Sequence, residues 1–400
     1  MRMRRLIFLV TLLVAAAATA EDSLHFSGFG TLTGAWFSSN DADFTPNTIP
    51  YGPGRSKSVD FGLDSRIGGQ IDIDLGHSLK LTAQAIMQRQ PDRRYTPQLS
   101  LAHIRWQTLE KLAFRAGRMQ DNSFLASEYR LANLPNPWVR PPPEVYGLIP
   151  LIYEDGVDAN WGVPTGLGLF DFSLSLSRGD FDVARSNEGG VDPVSIRRTR
   201  RLVARWQNGN WLAKASWGKR ELSYHPNNLQ MAIDMISLLD PATGKQLDIQ
   251  DTVLKTWTLG LSYDSDDWLF MAEWARRQSL SAFADGEGAY FLAGHRFGKT
   301  MPYFVLARRN TAGSSLHSSN SQAEYIIDQL FTSQRRQNTS LSLGLSHALT
   351  PELILRAQID FIRPKDNSWG AGPYNNHSAN YNFEHPPIER LISLGLDFVF

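Results

Sequence analysis

Cysteine is missing from all 400 residues of the chain. Disulfide frameworks and thiolate metal sites are therefore excluded. Long apolar runs are missing too. Beyond Leu13 nothing approaches the ~20 apolar residues that a membrane-crossing helix requires, and the hydrophobic fraction is an ordinary 42%. No excess of one charge exists, with 40 basic against 40 acidic residues, which argues against nucleic acid as a partner. Motifs are equally sparse. The nine histidines form no metal-ligand spacing such as H-E-x-x-H, and neither G-x-G-x-x-G nor a phosphate-binding loop occurs. No G-x-S-x-G nucleophile elbow occurs either. No metal, cofactor or catalytic group is expected.

What is present begins with Arg2, Arg4 and Arg5, an apolar run from Leu6 to Ala18, and the small-residue pattern Ala18-Thr19-Ala20. That is the form of a secretory signal peptide over residues 1–20, with a mature chain from about Glu21. Taking those three arginines from the 40 basic residues leaves 37 against 40 acidic, a net charge of −3.

Period-two alternation dominates the rest. Ile392, Leu394, Leu396, Phe398 and Phe400 share one face of the last segment, with Ser393, Gly395 and Asp397 opposite. Successive side chains of a strand point to opposite sides. Over 59–75, Val59, Phe61, Leu63, Ile67, Ile71, Ile73 and Leu75 alternate with Asp60, Asp64, Arg66, Gln70, Asp72 and Asp74. Such a charged row is prohibitive in a sandwich core without partners, whereas an aqueous lumen accepts it.

Sixteen candidate strands follow, near 24–38, 59–75, 79–90, 98–107, 111–119, 154–161, 167–178, 195–207, 211–224, 253–263, 268–278, 289–297, 302–309, 337–347, 352–362 and 388–400. Short gaps alternate with longer ones. The expectation is an all-β fold, an antiparallel transmembrane barrel over residues 21–400 with short periplasmic turns and long external loops. Trp106, Trp161, Trp206, Trp211, Tyr263, Trp268, Phe297, Tyr303 and Phe400 fall beside the short turns or at the last strand end, as an inner interfacial ring would. Phe61, Trp217, Trp274 and Phe361 supply an outer one. Ile233 to Leu239 reads as a loop helix, and Tyr325-Ile326-Ile327 as a strand extension.

The longest gap, about 120–153, is stiffened by Pro141-Pro142-Pro143 and mixes Arg130, Arg140 and Glu144 with Tyr129, Trp138 and Tyr146. A signal sequence, sixteen strands, alternating connections, a long third loop, a terminal Phe and the segment His295-Arg296-Phe297-Gly298 followed by Pro302-Tyr303 together resemble the Gram-negative outer-membrane porins. The resemblance implies a homotrimer in outer-membrane lipid, with the third loop folded inward as an eyelet. It implies that Phe398 and Phe400 are read by the barrel assembly machinery. It also places Glu144, with Asp155 and Asp158 just beyond, on the acidic side of the eyelet. Two features depart from the family pattern. Pro141-Pro142-Pro143-Glu144 stands where an acidic Gly-rich segment is usual, and the gap at 91–97 is too short for the latch that general porins lay over a neighbouring subunit.

Strand parity assigns the basic side directly. Leu202, Ala204 and Trp206 must face lipid, since arginine at mid-bilayer costs roughly 2–4 kcal/mol there. Arg197, Arg201 and Arg205 then point inward, while Arg198 and Arg200 share the lipid parity and lie above the hydrocarbon. The same reasoning puts Arg66, Arg115 and Arg356 in the lumen, and Arg105 with them. An arginine ladder opposing Glu144 would order water and sort anionic solutes. In the plainer reading the arginines pair with Asp64, Asp72, Asp74 and Asp360 and keep the lumen wet. The expected function is passive diffusion of small hydrophilic solutes. A substrate-specific channel and an outer-membrane barrel enzyme are the alternatives.

Overall fold

The computed structural model describes residues 23–45, 52–55, 59–184, 190–224, 227–249, 252–279, 281–311, 316–370 and 376–400. The expected signal peptide lies outside them. Sixteen strands are present. They are β1 (Leu24–Phe37), β2 (Arg66–Gly76), β3 (Leu79–Gln88), β4 (Gln98–Leu109), β5 (Leu112–Gln120), β6 (Tyr153–Thr165), β7 (Gly168–Ala184) and β8 (Val191–Asn208). They continue as β9 (Trp211–Tyr224), β10 (Thr252–Asp264), β11 (Trp268–Ser279), β12 (Gly286–His295), β13 (Thr300–Thr311), β14 (Asn338–Thr350), β15 (Leu353–Pro364) and β16 (Glu389–Val399). Each pairs antiparallel with its sequence neighbours, and β1 pairs with β16, so the sheet closes and leaves no edge.

Closure depends on small residues at the seam. The Phe400 amide donates to the Gly28 carbonyl at 2.9 Å, and the Gly28 amide donates back at 2.7 Å. A Cβ at Gly28 would lie 2.2 Å from the Phe400 ring, and one at Gly30 would lie 2.3 Å from the Phe398 ring. Both rings therefore seat on glycine backbone. Along β16 the two faces separate as alternation requires: Leu394 is 59% exposed, while Ser393 and Asp397 are buried inside.

Three segments differ from the sequence reading. Residues 59–65 belong to the first long loop rather than to β2. Asp60 is buried there against Arg89 at 2.7 Å, a tertiary ion pair that alternation cannot foresee. Phe61 still lies on the outward surface, beside Gly34. Tyr325 to Ile327 fall in a helix over Ser321–Ser333, because Asn320 caps its first turn and Ala323, Ile327, Leu330 and Phe331 recur at helical spacing. Tyr303 leaves the expected ring: it is buried inside, its hydroxyl donating to Gln358 at 2.8 Å.

The long connections carry the helices α1 (Pro143–Tyr146), α2 (Asn227–Leu239), α3 (Pro241–Gln246) and α4 (Ser321–Ser333). Ile236, Leu247, Ile249, Ile327 and Phe331 bury one another, with Ala282 and Ala284 among them, so described parts of the connections after β9, β11 and β13 share a small apolar core.

Candidate functional site: the lumen loop and the wall it leaves open

The connection 121–152 between β5 and β6 lies inside the barrel. Its root is held by charge. Arg201 of β8 donates through Nη1 to Asp121 Oδ2 and to Glu154 Oε2, both at 2.8 Å. One buried guanidinium thus grips the first residue of the loop and the start of the strand that follows it. Arg220 of β9 also pairs with Asp121 and donates to Thr256 at 2.9 Å. Burial alone would raise the Asp121 carboxyl, but Arg201 and Arg220 outweigh it and hold it at about 2. Lys214 Nζ donates to the Phe124 carbonyl at 2.8 Å, and Thr258 Oγ1 to that of Ser123 at 2.6 Å. The Leu125 amide donates to Glu273 at 2.8 Å.

The middle of the loop is held by packing. Trp138 is fully buried, edge-on to Tyr290 at 5.7 Å, and sits with Phe124, Val145, Tyr146 and Leu148 against Leu292, Tyr303 and Val305 of the wall. Where they meet this cluster the lumen faces of β12 and β13 are apolar, which is why Tyr303 could not be placed by alternation: both faces of β13 are greasy around it.

The far part is held by hydrogen bonds and buried ion pairs. Arg140 reaches Asp64 at 2.7 Å, Asp360 at 3.1 Å and Ser393 at 2.7 Å. Arg356 pairs with Asp397 and donates to the carbonyls of Leu134 and Asn136 at 2.9 and 2.6 Å. Glu144 accepts from Asn338 and Ser340, each at 2.7 Å. Burial pushes its carboxyl above the ordinary range, and the Ser340 and Asn338 hydrogen bonds only partly oppose this.

The expected sites fall into distinct places. Arg201, Arg356, Arg140 and Glu144 hold the loop. No ladder opposes Glu144, because this residue is buried against β14 and its polar contacts there are neutral. Arg115 and Asp158 do face the lumen, bound to one another across β5 and β6 at 2.6 Å. Arg205 contacts Asp171 at 3.3 Å, and Arg105 is exposed near the short-turn end with Gln107 at 2.8 Å. Asp155 faces outward: on β6 the even residues Glu154 and Asp158 are inside, so Asp155 pairs with Arg118 on the outer surface at 2.7 Å. Arg197 leaves the lumen series because β8 is bulged between Ile196 and Arg198, which shifts parity by one and leaves Arg197 exposed.

Arg66 and Arg130 remain. They line one cavity of 480 Å³, with Gln88, Ser100 and Tyr153. Neither makes an ion pair among the described residues, and Arg66 Nε has no partner there. Glu128, on the same loop, is exposed and lies near Lys214. Sequence reasoning passed over Glu128, Asp121, Glu154 and Arg220. The parity that selected Arg201 would also have found Arg220, two steps from Gly218, and Glu154, two steps before Gly156.

A closed barrel of sixteen antiparallel strands with its long third connection inside defines the outer-membrane porin fold, and the chain has that fold. Solved structures bear it out at low identity. An anion-selective porin from Comamonas acidovorans aligns with TM-score 0.57 and 14% identity over 94% of this chain and 99% of that one. OmpF of Salmonella typhi, in complex with daunomycin, aligns with TM-score 0.55 and 9% identity over 94% and 97%. In-vitro folded OmpT, an outer-membrane protein of Vibrio cholerae, aligns with TM-score 0.51 and 9% identity over 94% and 97%. No protein-family model and no curated protein matches the sequence.

Proposed function

We propose that the chain is an outer-membrane porin of a Gram-negative bacterium, a water-filled channel through which small hydrophilic solutes diffuse passively, with a preference for anions. The observation that carries this reading is the division of the lumen. The third loop packs on the wall from β8 to β16 and meets β1 and β3 through Leu131 against Phe29 and Ile86. It leaves a cavity where Arg66 of β2 and Arg130 of the loop make no ion pair among the described residues. A hydrated anion passing between loop and wall meets two cations that hold no direct ion pair among the described residues, in a cavity that Asp64, Asp180 and Asp182 also line. A low-dielectric surround lengthens the reach of their field. Arg105 extends the basic surface toward the short-turn side, while the exposed Glu128 places an acidic charge on the loop. Binding at each point is weak because water remains, so the solute leaves as readily as it enters. No energy coupling and no catalysis are needed.

A homotrimer is part of the reading, carried by the porin fold. So is recognition of Phe398 and Phe400 by the assembly machinery, with loss of Phe400 lowering the amount of protein in the membrane more than its unit conductance.

Reversal potentials in planar bilayers under a salt gradient test the proposal. The parent is expected to favour chloride, Arg66→Ala with Arg130→Ala to lose that preference, and Glu128→Gln to increase it. A folded protein that conducts no current would overturn the channel reading. Selectivity unchanged in all variants would overturn the role given to these residues.

A further inference from the structure

The outward face of β8–β10 carries a feature that permeation does not use. Arg200 lies directly opposite Lys219, and Lys219 directly opposite Lys255. All three belong to the outward series, two residues from Leu202, Trp217 and Trp257 respectively, with no bulge between. None of the three makes an ion pair among the described residues; the acid one row higher, Glu221, is taken by Arg198 at 3.5 Å. Like charges set opposite one another across a sheet are destabilising, so three in a row call for an anion. Their level fits one. They stand roughly 20 Å above the short turns for ordinary strand rise and tilt, near the upper edge of the ~25 Å apolar band of such barrels.

Directly beneath the three cations the same face is hollowed. A groove of 610 Å³ is floored by Ala204 and Ala215, which pair with one another, and is bounded by Leu202, Trp217, Trp257 and Trp274. Two alanines side by side among indole rings leave an apolar depression between them. The combination is therefore a phosphate-sized cationic row set immediately over an apolar slot.

We infer that this face binds a phosphorylated glycolipid of the outer leaflet, its phosphate held by Arg200, Lys219 and Lys255 and one acyl chain lying in the groove over Ala204 and Ala215. Arginine and lysine suit this anion, the guanidinium through paired N–H groups and the ammonium as point charges. A second copy of the chain would instead have to bring carboxylates against three cations at headgroup height. The leaflet follows from the porin orientation, with long connections outside.

Native mass spectrometry of the full folded protein in detergent, titrated with bis-phosphorylated lipid A, tests the inference. Each Lys or Arg near a charged lipid surface is worth about 1 kcal/mol, so the triple variant Arg200→Ala, Lys219→Ala, Lys255→Ala is expected to bind roughly a hundredfold more weakly. Dephosphorylated lipid A should lose a similar factor on the parent, and Ala215→Phe, which fills the slot and keeps the cations, roughly tenfold. Parental single-channel conductance in the same preparations identifies folded protein. Equal binding by parent and triple variant would overturn the inference. So would loss of subunit association with lipid binding intact, which would assign the face to a second copy.

Discussion

The two halves of the lumen wall are made of the same kind of strand but do opposite things. From β8 to β16 the inward residues are apolar or locked in pairs, and they hold a loop. From β2 to β7 the inward residues are more polar, though Ile86 and Met119 are among them, and Arg66 makes no ion pair among the described residues. The difference shows that a lumen-facing arginine is not by itself a pore residue. Arg201 is buried between two carboxylates at 2.8 Å and has become part of a hinge-like root, while Arg66 keeps its field for whatever passes.

The largest effect is expected from breaking the held half at its root. Arg201→Ala leaves Asp121 and Glu154 buried with one guanidinium fewer, a loss of about 3–5 kcal/mol for an uncompensated buried charge. The loop should detach, so single-channel conductance rises and becomes noisy; a quiet trace of parental amplitude would show that the root does not depend on this arginine. Next comes Trp138→Ala, which empties the packed middle at a cost of about 3–5 kcal/mol if the site does not collapse. Its effect should be smaller than that of Arg201→Ala because both ends of the loop remain tied, and protease sensitivity of the 121–152 segment would read the difference.

pH separates the two fastenings more finely. Asp121 is held at about 2, below its ordinary 3.8, so its contribution is present above 3.8 and is lost as pH falls through about 2. Glu144 has the opposite sign. Its folded value is raised above 4.5 by burial, so the docking of its segment is fully favourable below 4.5 and weakens as pH rises through the raised value. Trp138 fluorescence followed against pH should show loosening at both extremes, and Glu144→Gln should abolish the alkaline limb alone. The smallest effect belongs to the open half: Arg105→Ala, near the short-turn end, should shift the reversal potential by a few millivolts toward cations without altering stability, since the side chain is exposed and its contact with Gln107 is a single hydrogen bond.

Much of the fold was legible before any coordinates. The sixteen segments, their antiparallel order and the alternation of short and long connections follow from period-two patterning, and β9 was bounded to the residue. The site was legible only in part. Parity placed Arg201, Arg115 and Asp158 inside, yet failed at Arg197, where one bulged residue inverts every assignment beyond it, and at Asp155, whose neighbour Glu154 carries the inward charge. Glu144 was assigned by its company in a charged, proline-rich loop, and its neutral surroundings on β14 were invisible.

By itself, then, the sequence determined what is local: which residues extend, which side of each strand faces water, and that Phe398 and Phe400 close the sheet on a greasy face. The tertiary structure alone decided which inward charges are cancelled and which act. That depends on height around a tilted barrel and on where the loop over 121–152 comes to rest, and neither is set by a period of two. Arg200 and Arg201, adjacent in the chain, show the limit. Alternation sends one outward and the other inward, but only the closed barrel puts two lysines in a row beside the first and two carboxylates around the second.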